Sequence, residues 1–272
     1  MATWYAQLSA TSFFSVSGGT TSNQWNAATN GSGAWLDLSA DYSADTFNSN
    51  AKTTIAIDAN VTAASLTSAA AAGTWTINTT GVTITANLVC GTAATFLMNS
   101  GTPTVTIVGN LAGGASSNDS CVDLSVAGTL NVTGDVTGGS ASAAHGINIS
   151  AAATVNITGT VTGGSNAGAY GVHNGSTPSG VAISVTGSLV ASTGNAVASL
   201  GSGAATLAVA NGNIVDTATV NAFLMRAGTY SFDPGVGNYF RIRTTGATTV
   251  DLTEGTTSGA GAWSHRMIGG GF

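Results

Sequence analysis

A ten-residue pattern returns seven times along the chain, and it restricts the possible folds more than any other feature of the sequence. It reads apolar, any, apolar, three residues, apolar, any, and then often two small residues. The copies are "IAIDANVTAA" (Ile55, Ile57, Val61), "VTITANLVCG" (Val82, Ile84, Leu88), "VTIVGNLAGG" (Val105, Ile107, Leu111) and "LNVTGDVTGG" (Leu130, Val132, Val136). They continue through "VNITGTVTGG" (Val155, Ile157, Val161), "ISVTGSLVAS" (Ile183, Val185, Leu189) and "LAVANGNIVD" (Leu207, Val209, and Ile214 one residue late). Successive copies start 23 to 28 residues apart.

The apolar–any–apolar step is the alternation of a strand with one face inward. Gly109, Gly134, Gly159 and Gly187 fall before the third apolar position, where a glycine permits a bend that a side chain would resist. A second apolar cluster follows in most copies: Phe96 and Met98, Val122 and Leu124, Ile147 and Ile149, Val172, Val197, and Phe223 with Met225. Each unit therefore holds two or three short strands. One such unit cannot bury its own apolar face, but stacked copies share a continuous core. The expected fold is all-β: a single-stranded right-handed parallel β-helix of about seven coils of 23–28 residues, with aromatic-rich caps at both ends. At ~4.8 Å per coil, seven coils would make a rod of roughly 35 Å. A propeller blade needs about 40–50 residues, too many for this period. A hairpin-built sandwich would place turn dipeptides regularly, and Asn30-Gly31, Asn174-Gly175 and Asn211-Gly212 are not regular.

Composition fits a rod whose outside is hydrated without charge. Only 6% of residues are charged, against about 25% in an average soluble domain. Thr, Ser and Asn take the outward positions. The cations are Lys52, Arg226, Arg241, Arg243 and Arg266, and the net charge is −6. Five cations are too few to neutralise a phosphate backbone, so no nucleic-acid partner is expected. No apolar run reaches the length of a membrane span, and "MATWYAQLSATSFF" does not read as a secretory signal. Cys90 and Cys121 have no metal-type spacing and read as two small buried thiols.

Aromatic residues divide the chain into three expected regions: a cap or attachment region over 1–50, the repetitive β-helix over 51–226, and a C-terminal β cap or tip over 227–272. An open terminal coil exposes core and strand edges, so caps are required. Aromatic side chains are also enriched in interfaces. Trp4, Tyr5, Phe13, Phe14, Trp25 and Trp35 are therefore the candidate attachment residues. Tyr239, Phe240, Arg241, Arg243, Trp263 and Phe272 are the candidate tip residues, with Phe240 and Ile242 inward. The two arginines read as solvent-facing or as partners across subunits for Asp233, Asp251 or Glu254.

The stretch "TSNQWNAATNGSGAWLDLSADYSADTFNSNAKTTIAIDANVTAASLT" resembles the opening of a family of phage and phage-derived surface proteins. Those begin with a Trp-rich segment and enter a β-helix through a first coil similar to "TTIAIDANVTAASLT". The resemblance covers roughly residues 20–70 and the looser repeat after it. It implies a virion fibre, spike or decoration protein, homotrimeric, attached at its N-terminal region to other virion proteins and facing outward at its distal end, towards host-surface glycans. A secreted or cell-surface adhesin, or an extracellular filament subunit, is the alternative.

Parallel β-helices also carry polysaccharide-cleaving sites, which need two carboxylates roughly 5–10 Å apart. Asp58, Asp119, Asp123, Asp135 and Asp216 do not face one another at aligned repeat positions, and residues 53–225 contain no Lys or Arg. No enzymatic activity and no cofactor are expected. His145 aligns with Tyr170 and His173 with Asn148, so no histidine ladder and no metal site are expected, and His265 stands apart. The Thr-x-Thr steps at Thr83 and Thr104 do not continue as a regular ladder, which argues against an ice-ordering face.

Overall fold

The computed structural model describes residues 1–7, 10–12, 21–37, 41–49, 54–57, 59–68, 74–91, 95–175 and 179–199. Beyond these it describes the strand backbones 205–210, 214–215, 223–225, 228–233, 242–243 and 255–257. All regular structure among the described residues is β, and the chain is a parallel β-solenoid. Each full turn contributes three short strands. In one coil these are Thr104–Val108, Leu111–Ala112 and Val122–Leu124. The next has Thr129–Thr133, Val136–Thr137 and Ile147–Ile149. The one after has Thr154–Thr158, Val161–Thr162 and Val172–Asn174. The first two strands of each coil join one large sheet, and the third joins a second sheet.

Register follows the repeat. Val105 pairs with Leu130, Leu130 with Val155, Val155 with Ile183, and Ile183 with Leu207. Leu111, Val136, Val161 and Leu189 form a second inward column, and Ile214 joins it despite arriving one residue late. In the second sheet Trp75, Phe96, Val122, Ile147, Val172 and Val197 stack in order. Alternation then fixes the faces: Leu130, Val132, Val155 and Ile157 are buried, while Thr133, Asn156 and Thr158 are exposed. A fully buried Val, Leu or Ile contributes about 1.5–3 kcal/mol, so every coil adds to one continuous core.

Between the first two strands of a coil the chain turns a tight corner. Gly109, Gly134 and Gly159 have φ of +157°, +152° and +158° there. A Cβ on Gly134 would collide with the carbonyl of Gly109 in the coil before it, and one on Gly159 with that of Gly134. Next to this corner runs a ladder of side-chain acceptors. Asn87 Oδ1 accepts from the Asn110 N–H (2.9 Å), Asn110 Oδ1 from the Asp135 N–H (2.8 Å), and Asp135 Oδ1 from the Thr160 N–H (2.8 Å). Asn110→Ala orphans one of these N–H groups and is expected to lower the unfolding free energy by about 1 kcal/mol. Asn110→Asp keeps the acceptor and should retain most of it. Urea denaturation of the two variants side by side checks this.

Five turns lie between Val82 and Ser199, against the seven expected from the repeat. The difference at the N-terminal side is one of phase. Ile55 belongs to the second sheet, opposite Trp75, rather than leading a coil of the first. Val61 is the residue that pairs with Ile84, and Leu66 pairs with Leu88. An extra residue in Val61–Ser68 shifts the register between Thr62 and Ser65, which is a β-bulge. On the C-terminal side, Gly228–Asp233 pairs in parallel with Ala205–Ala210, and Gly255–Thr257 in parallel with Gly228–Tyr230. These backbone strands extend the stack.

The N-terminal end changes strand direction. Thr3–Ala6 runs parallel to Thr46–Asn48 but antiparallel to Thr21–Asn26, which in turn pairs antiparallel with Trp35–Asp37. This arrangement covers the first coil. Trp25 stacks on Trp75 (5.8 Å), Trp75 stacks on Phe96 (5.5 Å), and Phe47 meets Trp25 edge-on (5.0 Å). The aromatic stack joins the cap to the aliphatic core without a gap in burial.

Candidate functional site

The attachment residues separate by burial. Trp25 is fully enclosed and belongs to the core of the cap, so it offers no surface to a partner. Trp4 is half-buried, and its Nε1–H donates to Asp45 Oδ2 (2.9 Å). Tyr5 is half-buried opposite Asn26. Trp35 is 40% exposed on the strand Trp35–Asp37, which among the described residues pairs with Thr21–Asn26. Phe13 and Phe14 lie outside the described residues, as do Tyr239, Phe240, Arg241, Trp263 and Phe272. Arg243 is described only as backbone, in Ile242–Arg243, where Ile242 takes the register of Ile214.

The most distinctive chemistry sits on the outer side of the second sheet, where His145, Tyr170 and His173 come together. His145 and Tyr170 occupy the same position in successive coils, just before the strands Ile147–Ile149 and Val172–Asn174. His173 lies three residues beyond Tyr170, past the corner at Gly171, with its side chain outward. The ring centroids are 4.2 Å apart for His145–His173, 5.1 Å for His145–Tyr170 and 5.4 Å for Tyr170–His173, with interplanar angles of 20°, 7° and 28°. Three near-parallel rings with such similar separations cannot form a single column. His145 lies beneath, and Tyr170 and His173 sit side by side one coil above it. The register agrees with the alignment, which put His145 opposite Tyr170 and His173 opposite Asn148; the contact between the two histidines is what alignment did not show. Equivalent positions do not hold two histidines, yet the corner at Gly171 folds the next-row His173 onto His145.

Hydrogen bonds fix the tautomers. The Tyr170 N–H donates to His145 Nδ1 (3.1 Å), which leaves the His145 proton on Nε2. Asn148 donates from Nδ2 to Asp123 Oδ1 (3.3 Å) and turns its Oδ1 towards His173 Nδ1 (2.9 Å). His173 Nδ1 must then carry the proton, and its Nε2 keeps a free lone pair; the assignment rests on the network. Burial lowers His145 to about 3, with His173 beside it adding to the effect, and burial alone lowers His173 to about 4. Both rings are neutral at neutral pH. Burial also raises the Asp123 carboxyl, against hydrogen bonds from Asn148 and Ser125. Asp123 faces Leu97 and Asn148 in the neighbouring coils.

Cys90 and Cys121 are buried and free. Cys90 Sγ contacts the carbonyls of Ser120 and Cys121 (3.5 and 3.4 Å), and Cys121 Sγ that of Leu88 (3.4 Å). Burial, followed by the contact with Cys121, pushes the Cys90 thiol well up. Among the described residues no three or more His, Cys, Asp or Glu side chains are grouped to hold a metal ion. No helix there is long and apolar enough to cross a membrane.

The fold defines the class: this is a parallel β-solenoid protein. No protein-family profile matches the chain, and neither a curated protein nor a solved structure is detectably similar to it.

Proposed function

We propose that the chain is a non-enzymatic structural protein of a bacteriophage virion, a fibre, spike or decoration protein, in which the solenoid supplies length and one end supplies attachment. The observation that carries this reading is the unbroken register of the repeat, coil on coil from Val82 through Val209. A long stack with a lateral surface of Thr, Ser and Asn builds shape at little electrostatic cost. The sequence resemblance over residues 20–70 supports the virion assignment, and the exposed Trp35 of the cap supports attachment through the N-terminal end.

The closed assembly of such an appendage is a homotrimer. Light scattering on freshly purified protein tests it: the expected mass is three times the 26.4 kDa chain. A monomer, or an open ladder of polymers, would remove the fibre reading and favour an adhesin or filament subunit. Trp35→Ser is expected to leave that mass unchanged and to weaken docking to virions lacking the protein.

A further inference from the structure

We propose that Cys90 and Cys121 close into a disulfide as the chain folds in an oxidising medium, tying two neighbouring coils together at an inner corner of the solenoid. Register gives the first reason. Val89 pairs with Ala112 and Val122 with Ile147, so Cys90 stands opposite Gly113 and Cys121 opposite Gly146. In the following coil the same two positions are Gly138 and Gly171. A Cβ at Gly113 would collide with the carbonyls of Ala144 and His145 one coil on, and a Cβ at Gly146 with the Val136 side chain and the carbonyl of Gly171. Gly138 and Gly171 are crowded in the same way. Where these coils exclude side chains from the corner, the chain seats its two cysteines.

The thiols also meet. Cys90 Sγ reaches one coil on to the carbonyls of Ser120 and Cys121 (3.5 and 3.4 Å), while Cys121 Sγ reaches one coil back to that of Leu88 (3.4 Å). The two side chains approach each other from neighbouring coils, and their thiols are in contact.

Burial decides when the bond forms. Cys121 is 0% exposed and Cys90 6%. Burial, and after it the contact with Cys121, holds the Cys90 thiol well above its usual range, and a buried, protonated thiol is inert. Closure therefore belongs to the interval before the coils seal, when a thiolate can still reach a small-molecule disulfide of the glutathione class. That thiolate attacks one sulfur of the small disulfide, forms a mixed disulfide and releases one small thiol. The other cysteine thiolate then attacks the protein sulfur of the mixed disulfide, forms the Cys90–Cys121 bond and releases the second small thiol. Two electrons pass to the small disulfide, and the two cysteine protons end on the two released thiols. An appendage and an adhesin alike work outside the reducing cytosol, where such a bond persists.

The test is cell-free synthesis of the full chain in two media, one buffered with oxidised and reduced glutathione and one with excess dithiothreitol. Product from the oxidising medium is expected to be lighter by two hydrogens in intact-mass spectrometry and to show no titratable thiol after unfolding in urea. Product from the reducing medium should show both thiols. The bond spans 31 residues of sequence, so the oxidised protein should melt roughly 5–10 °C above the reduced one. Cys90→Ser and Cys121→Ser each lack a partner, and each variant should melt at the same temperature from both media, which ties the shift to the bond rather than to the medium. The wild-type comparison stands even where a serine in the corner prevents folding. Two titratable thiols in the product of the oxidising medium, a bond between two chains instead of within one, or equal midpoints for oxidised and reduced wild-type protein would each overturn the proposal.

Discussion

Gly134→Ala is expected to lower the unfolding free energy by about 4 kcal/mol, a large effect for adding one methyl group. Two costs combine. The backbone at Gly134 has φ of +152°, a region that side-chain-bearing residues rarely adopt, and holding one there costs about 1–3 kcal/mol. The new Cβ would also collide with the carbonyl of Gly109 in the coil before, and such overpacking costs typically about 1–3 kcal/mol. Neither coil can move aside cheaply. The Gly134 N–H donates to Thr158 O (3.0 Å), and the Gly109 N–H to Thr133 O (3.0 Å). Separating two coils at this corner would stretch ladders on both sides of it. Gly101 provides the control. Its φ is +69°, and nothing lies within 4 Å of where its Cβ would be. Gly101→Ala therefore carries conformational strain without collision, and about 1 kcal/mol is expected. Urea denaturation followed by circular dichroism gives both numbers. Equal effects at Gly134 and Gly101 would mean that the coils are not in contact at the corner.

The solenoid was legible because two periods coincide in it. Val105, Leu130 and Val155 alternate with polar neighbours inside each strand and recur every 25 residues, so a local and a long-range signal name the same inward face. The corner glycines and Ile214, one residue late, follow from the same alignment. Phase was harder to read. "IAI" at residues 55–57 alternates like a leading strand, but the second sheet uses the same alternation, and only pairing with Trp75 assigns it. The bulge before Ser65 has no sequence mark, since Ala63 and Ala64 fit either face. Aromatic counts single out the N-terminal end without distinguishing Trp25, enclosed against Trp75, from the exposed Trp35. The His145–Tyr170–His173 group was half legible. Alignment places Tyr170 above His145, but contact with His173 depends on how the chain turns at Gly171, which no periodicity encodes.

That group gives the fold an acid limit whose direction follows from its burial. A histidine has a pKa near 6.5 in an unfolded chain, whereas His145 is lowered to about 3 and His173 to about 4 in the folded protein. Above pH 6.5 the rings are neutral in both states and contribute no pH dependence. Below it the unfolded chain takes up protons that the folded chain refuses, so stability falls with pH until the folded values are reached. Each tenfold difference in proton affinity between the two states is worth ~1.4 kcal/mol, so the loss from His145 is on the order of 4 kcal/mol by pH 3, and half-buried His173 adds less. Asp123 works in the opposite sense. Its carboxyl is raised in the fold, so the folded state protonates first, and stability is regained as pH falls through that value. Asp41 is lowered, and it removes stability only near and below the ordinary carboxylate range. Between pH 6.5 and 5 the histidines pull stability down as pH falls, and Asp123 can only oppose them. His145→Phe keeps a ring against Tyr170 and His173 but cannot titrate or accept from the Tyr170 N–H. It should cost about 1 kcal/mol above pH 6.5 for the orphaned donor, and the difference should shrink as pH falls because the variant lacks part of the slope between pH 6.5 and 5. A wild-type unfolding free energy that stays level across that interval would mean that the rings are charged and solvated in the folded protein. A variant slope equal to that of the wild type would place the proton uptake at another residue.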